Sequence, residues 1–322
     1  MNTSTRINLS LITPSGRLTL GNLLGALRPM AGAAGPSSYF GVADLHALTT
    51  PHSPALLRSH VTEMRTLLLA CGLDGATLFL QSQVPAHRSL AYLLECVART
   101  GELGRMIQFK EKGMAGSRAS LFTYPALMAA DILLYGAAEV PVGEDQRQHV
   151  ELTRDLALRF NREYGEVFTV PRAVHPPHGA RVMDLLTPTR KMSKSAGDDH
   201  AGSIFLLDPP DVVRRKVLRA VTDSDVGADA VRVDREAKPG VTNLLDILEA
   251  CGGSAEAIST YGALKKSVVD AVVAELEPVQ KRYRDLAADP GHVARVYAAG
   301  AATCREVTAP VLAAAEAAVG LG

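Results

Sequence analysis

Residues Ile7–Asn22 read INLSLITPSGRLTLGN, and the order of residue types in this stretch indicates a fold class. The apolar run Ile7–Ile12 predicts a strand. Pro14 and Gly16 predict a turn, and the apolar spacing over Leu18–Ala34 predicts a helix. A strand, a glycine turn and a helix in this order are typical of the first unit of a parallel α/β sheet.

The same alternation continues through the first 170 residues. Further strands are predicted at Ser38–Ala43, Ala76–Gln81 and Glu139–Val142. Further helices are predicted at Ala55–Ala70, Ser89–Arg99, around Pro125–Tyr135 and at Gln146–Asn161. This alternation predicts an α/β fold with a doubly wound parallel sheet, which binds ligands at the carboxyl ends of its strands.

The pattern changes after about residue 185 and becomes mainly helical. One more short strand is predicted at Ser203–Asp208. The helical patterns that follow are Pro209–Val221, Asn243–Cys251, Ala263–Ala287 and His292–Val319. We therefore expect a C-terminal helical domain, with the chain divided into residues 1–190 and 191–322.

Composition excludes several classes of protein. The 322 residues carry 34 Lys and Arg against 34 Asp and Glu, and 47% are hydrophobic, which excludes disorder as the main state. Zero net charge argues against a global polyelectrolyte clamp on nucleic acid but leaves local basic patches open. Scattered cysteines, the lack of an apolar signal core and the lack of a membrane-length apolar run predict a cytoplasmic protein.

Two glycine-flanked loops are candidates for binding a nucleotide. Gly21 lies where a helix begins, so backbone amides can attract phosphate and adenine or ribose can approach a bare backbone. Lys191-Met192-Ser193-Lys194-Ser195 places two cations on a loop, where they can follow charge that develops on a phosphate. An ordinary glycine turn and an ordinary solvated loop explain the same residues.

Two further segments carry acids in informative places. Gly143-Glu144-Asp145-Gln146 lies between a strand and a helix, where Asp145 and Gln146 could meet a ribose diol or a substrate amine. The helix dipole stabilises Glu144 in any case. The second segment is predicted to be a helix, which places Tyr124, Met128, Asp131 and Tyr135 on one face. A buried Asp131 carboxylate requires a hydrogen-bond donor, which is either a protein group or a ligand N–H.

Together these motifs resemble the class I aminoacyl-tRNA synthetases. Thr19-Leu-Gly-Asn and Lys-Met-Ser-Lys-Ser form the double signature of that class. The strings VPVGEDQRQHVELTRD, TYPALMAADILLY, VTDSD and KPGVTNLLDI look like those of bacterial tryptophanyl-tRNA synthetases, and the resemblance runs from Ile7 nearly to the C-terminus. It implies a Rossmann-like catalytic domain with an inserted helical dimerisation segment, followed by the lysine loop and a helical anticodon-binding domain.

The resemblance also implies the residues of the site. ATP would bind together with Mg²⁺, and no metal bound by the protein itself is expected. The residues that contact ATP would be Thr13, Pro14, Ser15, Gly21, Asn22, Gly143, Glu144, Asp145, Val182, Lys191, Met192, Ser193, Lys194 and Ser195. Thr19, Lys112, Lys191 and Lys194 would act in catalysis, the lysines on the triphosphate. Tryptophan would meet Leu9, His46, Tyr124, Met128, Asp131, Val140, Val142 and Gln146. Among these, Asp131 would accept the indole N–H, and Tyr124 and Gln146 would hold the amino group.

The implied reaction activates L-tryptophan and then esterifies tRNA(Trp). The substrate carboxylate attacks the α-phosphate of ATP and releases pyrophosphate, and the tRNA 3′ hydroxyl then takes the aminoacyl group. Phenylalanine would leave Asp131 buried and unpaired, which can reject such an analogue by about 10⁴ or more. A homodimer is expected, and the clusters Arg214-Arg215-Lys216 with Arg219 and Lys281-Arg282-Tyr283-Arg284 suit tRNA phosphates or are ordinary solvated faces.

The sequence also departs from the family pattern. Leu9, Leu11 and Thr13 stand where an aromatic residue, a glycine and a glutamine are usual, and Leu23 and Leu45 stand where tyrosine and glutamine are common. An altered pocket suggests a variant copy that tolerates a tryptophan-mimicking inhibitor. Two other readings remain: a tyrosyl-tRNA synthetase, and a synthetase-like protein that binds a nucleotide or partner without catalysis.

Overall fold

Three short parallel strands form the sheet that organises the first half of the molecule. The computed structural model describes residues 7–112, 116–174, 179–227 and 229–322. Strands β1 (Asn8–Ile12), β2 (Ser38–Val42) and β3 (Thr77–Leu80) pair in parallel in the order β1-β2-β3. Leu9 lies opposite Tyr39, and Phe40 opposite Leu78. These strands confirm the predicted alternation.

A second parallel pair carries the later part of the α/β region. Strand β4 (Glu139–Pro141) pairs with β5 (Arg172–Val174) in a two-stranded sheet. The β4 strand was predicted, whereas β5 was not, because three residues with one exposed arginine carry little strand signal.

The helices between the strands include all the predicted ones, although their bounds differ in places. Those up to residue 164 are α1 (Leu20–Asn22), α2 (Arg28–Gly32), α3 (Pro54–Ala70), α4 (Ala86–Val97), α5 (Thr100–Leu103), α6 (Ile107–Lys112), α7 (Ala119–Leu133) and α8 (Glu144–Tyr164). The short helices α5 and α6 were not predicted. The helix predicted at Leu18–Ala34 is interrupted by a π-helical turn over Leu23–Leu27, just before Pro29, which has no N–H for the regular helical bond to Gly25.

The second half is helical, as predicted, with one correction. Its helices are α9 (Pro210–Leu218), α10 (Pro239–Ala250), α11 (Tyr261–Ala288) and α12 (Pro290–Ala318). The strand predicted at Ser203–Asp208 is wrong. Phe205 makes a single bridge to Thr19, and the chain then turns, because the Phe205 N–H donates to the Asp208 carboxylate at 2.9 Å.

Helix α12 joins the two hydrophobic clusters of the molecule. Its first half contributes Val293 and Tyr297 to the cluster around α10 and α11, and its second half contributes Cys304 to the cluster around β3, α4 and α7. The Tyr297 hydroxyl donates to the carbonyl of Arg65 in α3 at 3.1 Å. The division into residues 1–190 and 191–322 stays a prediction.

Two further observations concern membrane-spanning helices and the cysteines. No helix within the described ranges is long and apolar enough to cross a membrane. The four cysteines, Cys71, Cys96, Cys251 and Cys304, are free thiols. Burial raises the pKa of Cys71 and Cys251 to about 12, so these two thiols are unreactive.

Gly300 is expected to be essential for docking α12 on the sheet. A Cβ there would overlap the backbone carbonyl of Leu78 in β3, whereas a Cβ at Gly262 in α11 meets nothing. Gly300→Ala should therefore lower the free energy of unfolding by about 1–3 kcal/mol through overpacking. Gly262→Ala, the matched control, should be neutral or slightly stabilising. Denaturant unfolding of both variants makes the comparison, and equal stabilities would contradict this account of α12.

Candidate active site

A cavity of about 790 Å³ lies at the carboxyl ends of β1 and β4. Its walls include β1 and the loop Thr13-Pro14-Ser15, the end of β4 with Val142 and Gly143, and residues of α7. This is the edge of the sheet where parallel α/β folds bind ligands, and the volume is typical of a small-molecule site.

Asp131 of α7 is the charged group at one end of this cavity. It is 3% exposed and lines the cavity wall. Gln81 Nε2 donates to both carboxylate oxygens, at 2.7 Å to Oδ1 and 2.9 Å to Oδ2. His46 Nε2 lies 2.8 Å from Oδ2, and His87 Nδ1 lies 2.6 Å from Oδ1. Three protein side chains therefore satisfy the carboxylate.

These donors keep Asp131 ionised in spite of its burial. Burial alone raises the pKa of the carboxyl, but hydrogen bonds and charge from His46 and His87 outweigh that effect and lower the pKa to about 2. A fixed negative charge is thus present on the cavity wall at neutral pH.

The walls around Asp131 are mainly apolar. Leu9, Met128, Val140 and Val142 line the cavity, as does Gln146 at the start of α8. Tyr124 also lines it, and its hydroxyl forms a hydrogen bond with the Nε2 atom of buried His149. Such a pocket fits a flat apolar ring with a polar edge.

Lys194 brings a positive charge to the same cavity. It is the only Lys or Arg among the described lining residues, and its Nζ donates to the carbonyl of Thr13 at 2.5 Å. Burial lowers the pKa of Lys194 to about 8. A partly desolvated ammonium that donates to a backbone carbonyl can exchange that partner for a phosphate.

The loop that carries Lys194 is tethered close to the turn after β1. A Cβ at Gly16 would collide with the Lys194 carbonyl, so glycine is required for this approach. Asp198 accepts from His60 Nε2 of α3 at 2.9 Å and from the Arg17 N–H at 3.4 Å. The tether therefore fixes the loop at both its lysine and its aspartate.

The start of α1 is a second place, after Gly16, where a glycine lies close to other parts of the chain. A Cβ at Gly21 would lie 3.5 Å from the Cβ atoms of both Val182 and Met192, and these two side chains are buried. Thr19 is fully buried and caps the helix, with its N–H and hydroxyl 2.9 and 3.0 Å from Asn22 Oδ1. In this conformation the Thr19 hydroxyl is engaged with Asn22.

Comparison with known proteins identifies the family. The model of the tRNA synthetases class I (W and Y) matches residues 3–282. The chain belongs to the class I tRNA synthetases for tryptophan and tyrosine. Tryptophan–tRNA ligase 1 of Streptomyces avermitilis is 54% identical over 325 residues, which cover 96% of this chain and 97% of that protein.

Two solved structures resemble this synthetase over nearly their whole length. The crystal structure of tryptophanyl-tRNA synthetase from Mycoplasma pneumoniae has a TM-score of 0.87 and 36% identity, covering 99% of this chain and 98% of that one. The tryptophanyl-tRNA synthetase from Campylobacter jejuni, complexed with ADP and tryptophan, has a TM-score of 0.84 and 30% identity, covering 98% and 100%. The predicted class I synthetase fold is confirmed.

The structure gathers many of the predicted synthetase site residues in one cavity. Those that line it are Leu9, Thr13, Pro14, Ser15, His46, Tyr124, Met128, Asp131, Val140, Val142, Gly143, Gln146 and Lys194. Those that do not line it are Thr19, Gly21, Asn22, Val182, Lys191, Met192 and Ser193. The side chains of Lys112, Glu144, Asp145 and Ser195 lie outside the described part of the chain.

Sequence reasoning missed Gln81, His87, His60 and Asp198. Gln81 and His87 follow β3 closely, at the same edge of the sheet as the cavity. Polar residues directly after a buried parallel strand were therefore a usable signal for the first two. The His60–Asp198 pair had no such signal, because its members are 138 residues apart.

Two expectations about charges require correction. Asp131 in this structure has three protein donors. An analogue without an N–H would therefore not leave the carboxylate unpaired, and the predicted reason for rejecting phenylalanine is wrong. Lys216 is not part of a basic surface. Its side chain is 11% exposed and donates to the Asp208 carboxylate at 2.7 Å.

Proposed function

We propose that this synthetase is a tryptophan–tRNA ligase, which activates L-tryptophan with ATP and transfers it to the 3′ end of tRNA(Trp), with release of AMP and pyrophosphate. The observation that carries the proposal is the ionised Asp131 carboxylate on the wall of an apolar cavity. The relatives named as tryptophan–tRNA ligases support the same substrate.

The amino acid would bind at the Asp131 end of the cavity. The indole N–H would reach Oδ2, the oxygen that His46 contacts from the cavity side. Met128, Val140 and Leu9 would pack against the ring, and Gln146 would meet the amino group. Discrimination between amino acids would come from the Asp131 carboxylate. It would accept a hydrogen bond from an indole N–H and repel an electron-rich ring edge that lacks one.

ATP would bind at the Lys194 end of the same cavity. Lys194 and the turn Thr13-Pro14-Ser15 would hold the phosphates, and Gly21 would allow the nucleoside to approach α1. When bound, Mg²⁺ would come with the ATP phosphates and neutralise part of their charge. None of the described residues forms a group of three His, Cys, Asp or Glu side chains that could hold a metal.

The reaction would then depend on position and charge. The tryptophan carboxylate and the α-phosphate would meet between the two ends of the cavity, which raises their effective concentration. Lys194 would exchange its bond to the Thr13 carbonyl for one to a phosphate oxygen, so that its charge is used fully only as pyrophosphate leaves.

A tRNA surface and a second subunit complete the proposal, together with a cytoplasmic location. Arg214 and Arg215 on α9, and Arg219 directly after it, are exposed and suit tRNA phosphates. On the other side, Tyr92 of α4, Ile107 of α6 and Leu158 of α8 are large exposed apolar side chains. Helices α4 and α8 contact each other, and the Ile107 N–H donates to Gln148 of α8, so these helices offer a continuous surface for a homodimer.

Amino-acid-dependent exchange of labelled pyrophosphate into ATP tests the proposed reaction. Tryptophan should support exchange, and tyrosine and phenylalanine should support it at least about tenfold less efficiently, because neither places an N–H for a hydrogen bond to the charged Asp131 carboxylate. Exchange with tyrosine alone would make this chain a tyrosyl-tRNA synthetase. ATP binding without any exchange would make it a non-catalytic relative.

The pH dependence of kcat/KM for ATP tests the role of Lys194. Burial lowers the pKa of this lysine to about 8, so the free enzyme loses the charge as pH rises through that value. The kcat/KM for ATP should therefore fall above about pH 8. Lys194→Arg should remove that fall, since a guanidinium stays charged. Lys191→Arg is the matched control and should leave the pH of the fall unchanged; a fall that persists in Lys194→Arg would contradict this role.

We also propose that the pocket tolerates a tryptophan-mimicking inhibitor. Leu9, Leu11 and Thr13, three of the positions that depart from the family pattern, all line the cavity. Leu9 packs beside the expected ring position, so Leu9→Phe should reshape that wall and increase inhibition by an indole-containing tryptophan mimic. Inhibition constants of both proteins decide the matter, and equal constants would exclude a role for Leu9.

A further inference from the structure

His87 contacts the Asp131 carboxylate from the side away from the cavity. It is completely buried in α4, does not line the cavity, and places Nδ1 2.6 Å from Asp131 Oδ1. His46, which does line the cavity, contacts the other oxygen, Oδ2, at 2.8 Å. The two oxygens therefore have different neighbours, with Oδ1 toward the core and Oδ2 toward the cavity.

The ring of His87 is fixed at both nitrogens. Its Nε2 lies 3.1 Å from the Tyr135 hydroxyl. The ring also stacks on Phe79 of β3, with centroids 5.8 Å apart and planes at 22°. A rotation of the imidazole would break both hydrogen bonds and the stack.

The hydrogen-bond roles follow from the chemistry of the partners. An ionised carboxylate only accepts, so Nδ1 carries the hydrogen that points at Asp131. The other ring nitrogen, Nε2, forms the second hydrogen bond, with the Tyr135 hydroxyl at 3.1 Å. The result is one chain of hydrogen bonds that joins Tyr135, His87 and Asp131 Oδ1.

We propose that His87 is a positioning residue for tryptophan recognition: it holds Oδ1 of Asp131 so that Oδ2 is presented to the indole N–H. This inference rests on the proposed function, because it assumes that Asp131 reads the indole. His87 does not touch the substrate. It acts by fixing the orientation of the carboxylate, which could otherwise turn about its own side-chain bond within the network.

The structure also explains why Gln81 does not make His87 redundant. Gln81 donates to both carboxylate oxygens from one nitrogen at nearly equal distances, so it constrains the rotation of the carboxylate about its Cβ–Cγ bond less than a contact to one oxygen alone. His46 reaches Oδ2 from the cavity side, where the substrate would bind. Only His87 contacts Oδ1 alone among the side chains around Asp131 in the described part of the chain.

Variants of His87 separate its two hydrogen bonds. His87→Phe keeps a ring in the stack but loses both bonds. His87→Asn places an amide donor close to the position of Nδ1 and loses the bond to Tyr135. Tyr135→Phe removes only the far end of the chain. Steady-state KM values for tryptophan and for ATP in pyrophosphate exchange, with a thermal melt of each variant, give the comparison.

His87→Phe should raise the KM for tryptophan about tenfold or more, as expected for a lost hydrogen bond to a charged group. The KM for ATP should stay within about twofold, since the ATP end of the cavity is separate. His87→Asn should recover most of the tryptophan KM, and Tyr135→Phe should change it least. An unchanged tryptophan KM in His87→Phe, or an equal rise in both KM values, would overturn the proposal.

A second measurement remains decisive if His87→Phe does not fold. Nitrogen-15 NMR of histidine-labelled enzyme should show His87 with a hydrogen on Nδ1, and that Nδ1 signal should shift in Asp131→Asn. The opposite tautomer would overturn the proposal. Failure of the proposed function is distinguishable, because the unmutated enzyme would then show no tryptophan-dependent exchange; exchange with a tryptophan KM sensitive to Asp131→Asn but not to His87→Phe would reject only the positioning role.

Discussion

The rest of the structure depends on the need to stabilise one buried carboxylate. A charge as buried as that of Asp131 is strongly unfavourable unless hydrogen bonds and opposite charge compensate for it. Here the compensating groups come from separate parts of the chain: His46 follows β2, Gln81 follows β3, and His87 lies in α4. The parallel strands and the helix that packs on them must therefore be in register before the charge can be accommodated, and the same register builds the wall of the cavity.

The cavity wall at Lys194 depends on a more easily broken set of contacts. Lys194 bonds to the backbone carbonyl of Thr13, and its loop is tethered through Asp198 to His60 and to the Arg17 backbone. Asp198 is partly exposed, unlike Asp131. In the proposed reaction the nucleotide must enter, react and leave. A loop held by a few polar contacts can open for these steps, while the network around Asp131 stays rigid.

Local patterns in the sequence were sufficient for most of the fold. The apolar runs of β1, β2 and β3 and the long helices α3, α8, α11 and α12 are continuous signals, so their positions were predictable. Ser203–Asp208 has the composition of a strand. The chain turns there instead, because the Asp208 carboxylate accepts a hydrogen bond from the Phe205 N–H. The three-residue strand β5 depends on pairing with β4, which is distant in sequence.

The candidate site was predictable in its residue types but not in its pairings. The sequence indicated that Asp131 needed a donor, yet Gln81 and His87 lie 50 and 44 residues away, and no local pattern connects them to it. Similarly, Lys216 looked like part of a basic cluster until its ion pair with Asp208 was visible. Long-range polar contacts of this kind are set by tertiary packing, which a single sequence does not reveal.

The most direct test of the central claim is the affinity of the enzyme for tryptophan and for its benzothienyl analogue, in which sulfur replaces the indole N–H with little change of shape. Calorimetric titration should show the analogue binding at least about tenfold more weakly, because Asp131 Oδ2 loses a donor and meets a sulfur instead. In Asp131→Asn that preference should nearly disappear. Equal binding of both ligands to the unmutated enzyme would show that the Asp131 carboxylate does not read the indole N–H, and would contradict the account.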